Sequence, residues 1–269
     1  MIVCETGTNI GRVIMQGDHT DLSHQFACAF GNDVFEAPEP RSLMEFVTLN
    51  HDRGWDEVDA NISRNPDTGL PYSLVNTPFD QLLASGPGSV EFNSAHHPYC
   101  GLISSMHIWG LYNGRYGLSD KIVIDMLSGD TRARADEMLA AEIQRQDFLK
   151  LQLAHMEECK DWVEDKKIFQ NYKQLQFFDT LSLYFNGVVG DSPENSEFLN
   201  VPKNRYQDVT IKLEPLSKGV YRLDPFPFAG SELVVNLKVT QVPVFDHDVD
   251  YREVFRISDF NMESIKLVV

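Results

Sequence analysis

The chain has 269 residues and an acidic composition, with 23 Lys and Arg against 40 Asp and Glu and a formal net charge of −17. Such a surface repels nucleic acid and anionic membranes, so we expect neither as a partner. The cysteines are too far apart in sequence for a zinc or redox pair and are typical of reduced thiols in a cytoplasmic protein. The length suffices for a core without disulfides.

The first elements along the chain are a hairpin and two helices. MIVCE and RVIMQ flank the turn residues 6–9 and predict a short β-hairpin. The N-terminus lacks the basic region and long apolar run of a signal peptide. Apolar residues at helical spacing predict helices over about 18–30 and 41–58. No stretch approaches the roughly 20 apolar residues of a membrane span.

The middle of the chain is also predicted to be helical, after a Pro-, Asn- and Gly-rich loop over 61–78. The predicted helices are near 79–85, from Pro98 to about 112, over 132–168 and over about 171–185. Apolar residues of the 132–168 segment have nearly heptad spacing, which would suit a homodimer. An ordinary helix packed against its own domain explains the same spacing.

The pattern changes near residue 190, where a linker-like segment leads to alternating and β-branched strands. We therefore expect a mainly α protein. Residues 1–190 would form a helical metal-binding domain with the N-terminal hairpin, and residues 191–269 a β-rich section packed on it. The segment LDPFPF (Leu223–Phe228) is expected to dock on the helices, because its two phenylalanines are costly to leave in water.

Histidine and aspartate carry the strongest functional signal. His51 and Asp52 are adjacent on a predicted helix and could flank an ion that lies over the helix between them. His19 and Asp179 are the candidate partners from other helices. Asp179 lies in the apolar segment QLQFFDTLSLYF, where a buried carboxylate needs a partner or a metal; a capping or solvent-facing role is the alternative. Mixed nitrogen and oxygen ligands suit Mn, Fe, Co, Ni or Zn.

The order of His19, the His51-Asp52 pair and Asp179 resembles the HD-domain superfamily of metal-dependent phosphohydrolases. The resemblance implies an HD-domain-like helical bundle that holds one or two divalent ions. It also implies histidine ligands between the pair and the last aspartate, which His97 and His107 could supply. Ten helical residues advance about 15 Å, whereas paired metals lie about 3.5–4 Å apart, so an unbroken helix cannot supply both. We favour His107; His97 could cap the helix or contact substrate.

A closer resemblance covers nearly the whole chain. The segments GDHTDLSHQFA, LNHDRGW, DTGLPY, HHPYCGLISSMH and LDPFPF resemble a bacterial family catalogued as domain of unknown function 3891. No activity can be transferred from that family. The residues carried over by the two resemblances are His19, His51, Asp52, His97, His107 and Asp179.

The expected function is metal-dependent hydrolysis of a small phosphorylated substrate, because a divalent ion acidifies bound water and polarises phosphoryl oxygens. Asp52 would serve in catalysis, Arg53 or Arg115 would bind the substrate anion, and Asp56 would orient a ligand or accept a proton. The two arginines and Asp56 could equally be solvated surface residues. An HD-type diiron oxygenase and a non-catalytic metal- or ligand-binding module are the alternatives. No sequence motif for an organic cofactor or a Ser or Cys nucleophile is present.

Overall fold

The computed structural model describes residues 1–188 and 193–269. Its helices are α1 (Gln16–Ala29), α2 (Arg41–Leu49), α3 (Asp56–Ala60), α4 (Phe79–His96), α5 (Pro98–Tyr112), α6 (Gly114–Gly117), α7 (Gly129–Ala154), α8 (Asp165–Gly187) and α9 (Tyr251–Ile257). Its strands are β1 (Ile2–Glu5), β2 (Ile10–Ile14), β3 (Ser196–Asn204), β4 (Gln207–Ser217), β5 (Val220–Asp224), β6 (Glu232–Pro243) and β7 (Phe260–Val268). No helix in these residues is long and apolar enough to cross a membrane.

The strands form one seven-stranded, curled sheet in the order β1-β2-β6-β7-β5-β4-β3. All neighbours are antiparallel except β5 and β7, which are parallel. Helices hold 51% of the chain and strands 22%. The expectation of a mainly helical, HD-like bundle with a small separate hairpin is therefore wrong.

The error concerns the strand with which the N-terminal hairpin pairs. The hairpin forms as predicted, but β2 also pairs with β6, and Val13 lies opposite Thr240. The alternation of apolar and polar residues predicts that a segment is a strand but does not identify its partner strand. A pairing between residues more than two hundred positions apart therefore has no local signal. Strands from both sides of residue 190 share this sheet, and the division into two domains at that residue stays a prediction.

Aromatic side chains join the sheet to α1 and α8. Phe26 of α1 stacks on Phe228 with ring centroids 5.9 Å apart, and Phe30 meets the same ring edge-on at 6.3 Å. The backbone nitrogen of Gly31 donates to the Pro227 oxygen at 3.0 Å, which holds the LDPFPF segment at the end of α1. Burying each such ring contributes about 1.5–3 kcal/mol. This segment therefore contacts the helices, as expected from its phenylalanines.

The predicted helix over 41–58 ends early, and this break sets the position of the candidate ligands. Helix α2 ends at Leu49, and the Asn50 side chain donates to the Phe46 oxygen. His51 and Asp52 then lie in a turn before the 3₁₀ segment Arg53–Trp55. The backbone of this segment passes so close to α4 that a Cβ on Gly54 would lie 1.9 Å from the Ser85 oxygen.

We predict that Gly54→Ala destabilises the protein, because the added methyl group forces the turn away from α4. Overpacking of this kind costs about 1–3 kcal/mol. Gly17→Ala is the matched control, since a Cβ at Gly17 meets nothing within 4 Å. Urea unfolding of both variants measures the difference. An equal midpoint for the Gly54 variant and the wild type would contradict the close packing of this turn.

Candidate metal centre

Three histidines and two aspartates from separate parts of the chain come together beside the helices α1, α5 and α8. They are His19 in α1, His51 and Asp52 after α2, His107 in α5 and Asp179 in α8. Helix α1 starts with the Gln16 nitrogen donating to the Asp59 carboxylate at 2.6 Å, which replaces a local cap. These segments bring together all but one of the metal ligands expected from the sequence.

The distances between the donor atoms fit a single ion. His19 Nε2 lies 3.3 Å from Asp179 Oδ1 and 3.9 Å from Asp52 Oδ2. His51 Nε2 lies 3.7 Å from Asp52 Oδ2 and 3.9 Å from Asp179 Oδ1. An ion with bonds of about 2.0–2.2 Å holds neighbouring ligand atoms about 3–4 Å apart. His107 forms a second group with His51 and Asp52, whose ligand atoms lie within 4.8 Å of one another, so it adds a third nitrogen beside the four donors above.

Two of these nitrogens are buried without a well-directed hydrogen bond. His19 and His51 have no exposed surface, and neither Nε2 atom makes a hydrogen bond of good geometry to a described residue. His19 Nε2 does approach Asp179 Oδ1 at 3.3 Å and pairs with it when the ring is protonated, so His51 Nε2 is the clearer unsatisfied atom. Buried polar atoms are nearly always satisfied, because leaving one unpaired costs about 1–3 kcal/mol. A cation among the five side chains would satisfy both nitrogens, and the mixed N/O donor set suits Mn, Fe, Co, Ni or Zn.

The other ring nitrogens of His19 and His51 are held by acceptors. His51 Nδ1 lies 2.7 Å from the Thr48 carbonyl oxygen, to which it donates. His19 Nδ1 lies 2.7 Å from Asn186 Oδ1 and 3.0 Å from the Ser182 hydroxyl. A proton on Nδ1 leaves the Nε2 lone pair directed at the cluster. Such outer contacts are the ones that orient metal-binding histidines.

His107 and Asp52 are held by glutamines. Gln176 Nε2 lies 2.6 Å from His107 Nδ1, and Gln176 Oε1 has no hydrogen bond among the described residues. Rotation of the amide by half a turn exchanges these two atoms, and His107 Nδ1 then donates to Oε1 and leaves Nε2 free for a metal. Asp52 Oδ2 accepts a hydrogen bond from the Gln16 amide. Gln176 and Gln16 therefore each orient one candidate ligand.

The electrostatics of the cluster favour a cation. Burial lowers the pKa of His107 to about 4, so this ring is neutral at pH 7. Burial also acts to lower the pKa of His19, but Asp179 and Asp52 outweigh it and the net pKa is raised. Burial acts to raise the pKa of Asp179, but His19, His107 and His51 hold it well below the usual range. The Asp179 carboxylate thus stays ionised, and the charge of either a proton or a metal is stabilised beside it.

A cavity of about 100 Å³ opens onto the cluster and is lined by His19, Asp52, His107 and Asp179. The rest of its wall is mainly apolar, including Trp55, Leu82, Leu83, Ile108, Leu111 and Met138. In the part of the chain that the structure describes, no Lys or Arg lines this cavity. It therefore suits a small, largely apolar group next to the candidate ligands.

A family profile described as "Protein of unknown function (DUF3891)" matches residues 1–244. The chain belongs to the DUF3891 family. Comparisons with curated proteins and with solved structures gave no match. All five converging side chains of this DUF3891 protein lie within the matched residues.

The structure does not bring four of the expected site residues of this chain to the cluster: His97, Arg53, Asp56 and Arg115, the last of which lines a separate cavity. His97 is the N-cap of α5, and its Nδ1 accepts from the Tyr99 backbone nitrogen at 3.1 Å. It thus occupies the capping position that was one of its two alternatives. Arg53 and Asp56 are half exposed and pair with each other at 3.0 Å. They line a separate surface depression, so sequence adjacency to Asp52 does not place them at the candidate centre.

Three residues that support the cluster, Gln176, Ser182 and Asn186, were not predicted from the sequence, although α8 carries a signal for them. Together with Asp179 they recur at steps of three or four residues in the second half of this helix, where the other residues are largely apolar. That spacing places them on one face. A polar stripe on a buried helix indicates a shared polar environment, and here all four contact the histidines or their partners.

We predict that His107→Ala lowers the affinity for Co²⁺ by at least about 100-fold, because losing a ligand should cost more than losing an outer partner, which costs 10–100-fold. His97→Ala should leave metal affinity unchanged and lower stability by about 1 kcal/mol through the lost cap. Competition with a chelating dye measures affinity, and urea unfolding measures stability. Equal affinity losses in the two variants would contradict the placement of His97 outside the centre.

We further predict that Asn186→Ala weakens metal binding by about 10–100-fold while leaving all five candidate ligands in place, because His19 loses the acceptor that fixes its tautomer. Asn261→Ala is the control, since Asn261 is exposed on β7. The same dye competition applies to both. It should be run in the Cys28→Ser background, which disables an exposed group of His24, Cys28 and Glu45 that could also hold an ion. Unchanged affinity in the Asn186 variant would count against His19 as a ligand.

Proposed function

We propose that this protein is a metal-dependent hydrolase whose ion is held by His19, His51, His107, Asp52 and Asp179. The observation that carries the proposal is the pair of buried Nε2 atoms of His19 and His51, which lack well-directed hydrogen bonds among the described residues and converge with the carboxylates of Asp52 and Asp179. The order of these residues along the chain, with a His-Asp pair between an early histidine and a late aspartate, supports an HD-type ligand set. A bound divalent ion would supply acidified water and polarise the bond under attack.

The number of donors favours hydrolysis. If the five side chains held one ion, a six-coordinate ion would keep room for a water molecule beside the cavity. Asp52 is the more exposed of the two carboxylates, with 12% of its side chain accessible against 6% for Asp179. Both line the cavity, so the greater exposure makes Asp52 the better candidate to exchange a proton with solvent.

The cavity revises the expected substrate class. A phosphorylated substrate brings charge that the protein must neutralise, and no cationic side chain of the described residues lines the cavity. Its apolar wall suits a small uncharged acyl group, and a volume of about 100 Å³ admits only a few non-hydrogen atoms. We therefore propose hydrolysis of a neutral carbonyl compound, such as an ester or amide with a short apolar acyl chain.

Oxygen activation by two irons is the second candidate, and the apolar wall is the observation that favours it. Such a wall suits a hydrocarbon substrate and keeps water from a reactive site. Against it, the donor separations of 3.3–3.9 Å fit one ion. Two ions about 3.5–4 Å apart would need a wider distribution of ligands.

We predict about one divalent ion per chain by elemental analysis, and hydrolysis of short-chain nitrophenyl esters in preference to nitrophenyl phosphate when Mn, Co, Ni or Zn is supplied. Asp179→Asn should abolish both metal binding and turnover, because the centre loses its buried anion. Asp56→Asn, which alters the exposed pair with Arg53, should leave both intact. Circular dichroism confirms that each variant folds.

Three results separate the alternatives. Two irons per chain with O₂ consumption by the ferrous protein would replace hydrolysis with oxygenation. Faster turnover of the phosphate than of the esters would restore the phosphorylated substrate. Absence of metal binding by the folded wild-type protein, with each ion tested, would overturn the proposal and leave a binding module.

A further inference from the structure

A second cavity of the described structure is separate from the candidate centre and has no role in the proposed hydrolysis. Its volume is about 630 Å³, and it lies between the turn α6, helix α8 and strand β3. Arg115, Lys173, Gln176 and Thr180 line it, together with residues 196–200 of β3. Cavities that bind small molecules measure about 300–1,000 Å³. This one is therefore large enough for an organic ligand.

An unusual backbone places Arg115 at the cavity wall. Gly114, Arg115, Tyr116 and Gly117 have φ values of 60°, 52°, 58° and 84°, so α6 is a left-handed turn. Two of the four are not glycine, and each such residue costs about 1–2 kcal/mol in this conformation. Gly114 is required, since a Cβ there would lie 2.7 Å from the Ser119 oxygen.

Aromatic packing around Tyr116 holds the left-handed turn in place. Its ring lies 4.5 Å from that of Trp109 and meets Tyr172 edge-on at 5.1 Å. Its hydroxyl donates to Gln146 Oε1 at 3.2 Å. Strained residues persist where their surroundings fix them, and such sites concentrate at ligand-binding positions. Tyr116 thus anchors the turn that carries Arg115.

The guanidinium of Arg115 has no ionic partner among the described residues. Among residues 1–188 and 193–269, no ion pair or side-chain hydrogen bond involves Arg115, although it is half-buried. The other cation of the wall, Lys173, is bound to Asp208. Two exposed acids, Asp120 and Glu197, also line the cavity, and Glu197 lies 4.0 Å from Lys212. A guanidinium cannot lose its charge, so an anion is the partner that would satisfy it.

The other residues of the cavity wall indicate the chemistry of the rest of the ligand. Phe177, Tyr184, Phe198 and Leu199 supply apolar surface. The buried Gln176 adds a polar side-chain amide to the wall. One fixed cation and an apolar body are the combination that binds an aromatic or aliphatic acid, since the guanidinium fork matches carboxylate and phosphate oxygens in pairs.

We propose that this cavity binds an organic anion, with a carboxylate or phosphate group on Arg115 and an apolar body against the phenylalanines of α8 and β3. The ligand site is distinct from the metal centre. Gln176 separates the two, since it lines the cavity and holds His107 on its other side.

Titration calorimetry with benzoate, phenyl phosphate and inorganic phosphate tests the proposal on the full chain at low ionic strength. We expect benzoate or phenyl phosphate to bind at least tenfold more tightly than inorganic phosphate, and the ratio of the first two identifies the preferred anion. Benzyl alcohol, which keeps the ring and lacks the charge, should not bind measurably. Protein treated with a chelator should bind the anions equally well, so failure of the metal proposal leaves this result unaffected.

Variants assign the binding to Arg115. Arg115→Gln should weaken it at least tenfold, and Arg115→Lys should retain part of it, because lysine keeps the charge and loses the fork. Arg53→Gln is the control, since Arg53 is half exposed and lines a different depression. Thr180→Phe leaves Arg115 intact but fills the cavity from α8, and it should also abolish binding.

Each outcome decides the question. Unchanged binding in the Arg115→Gln or Thr180→Phe variant would overturn the proposal, as would equal affinity for benzyl alcohol or no binding of any anion by the folded wild type. Loss of binding after chelation would assign the anion to the metal centre instead. Weaker binding in both variants, with the Arg53 control unaffected, would establish the site.

Discussion

The buried carboxylate of Asp179 is the constraint on which the candidate centre depends. Helix α8 supplies Phe177, Phe178 and Leu181 to the core under the sheet, and Tyr172 and Leu175 to the core among the helices. An ionised group in such surroundings costs several kcal/mol unless it is paired. The pairing comes from histidines of three other segments. Helix α8 can therefore occupy the middle of the molecule only if α1, α5 and the turn after α2 close around it.

The same helix separates two chemical environments. Its stripe of Gln176, Asp179, Ser182 and Asn186 faces the histidines or their partners, while Thr180 and Lys173 line the larger cavity. A long helix buried on nearly all sides can present different polar groups to different neighbours, since successive residues are rotated by about 100°. Helix α8 thus borders a small apolar cavity beside the candidate metal centre, and it also borders the larger cavity that contains Arg115.

How much the sequence predicts depends on the distance over which each signal acts. Asp179 stands out because its neighbours are apolar, and pairing it with His19 and the His51-Asp52 turn follows from residue chemistry and chain order. Arg53 was misplaced because adjacency to Asp52 says nothing about direction, and a turn replaces the predicted helix at this point. The pairing of β2 with β6 was missed because the sequence of a strand does not indicate which distant strand it pairs with. The position of Arg115 depends on a left-handed backbone conformation, and glycine is the only residue type that indicates such a conformation in a sequence.

The pairing of β2 with β6 also determines when the candidate centre can form during synthesis of the chain. Helix α1 begins two residues after β2 ends, so the position of His19 follows from where β2 lies in the sheet. A strand that slips by two residues moves by about 6–7 Å, which would carry His19 out of reach of its partners. Residues near 240 leave the ribosome long after His19 does. The nascent chain must therefore carry an unfinished ligand set until β6 has been made, and the centre becomes complete only after the strand that fixes β2 is available.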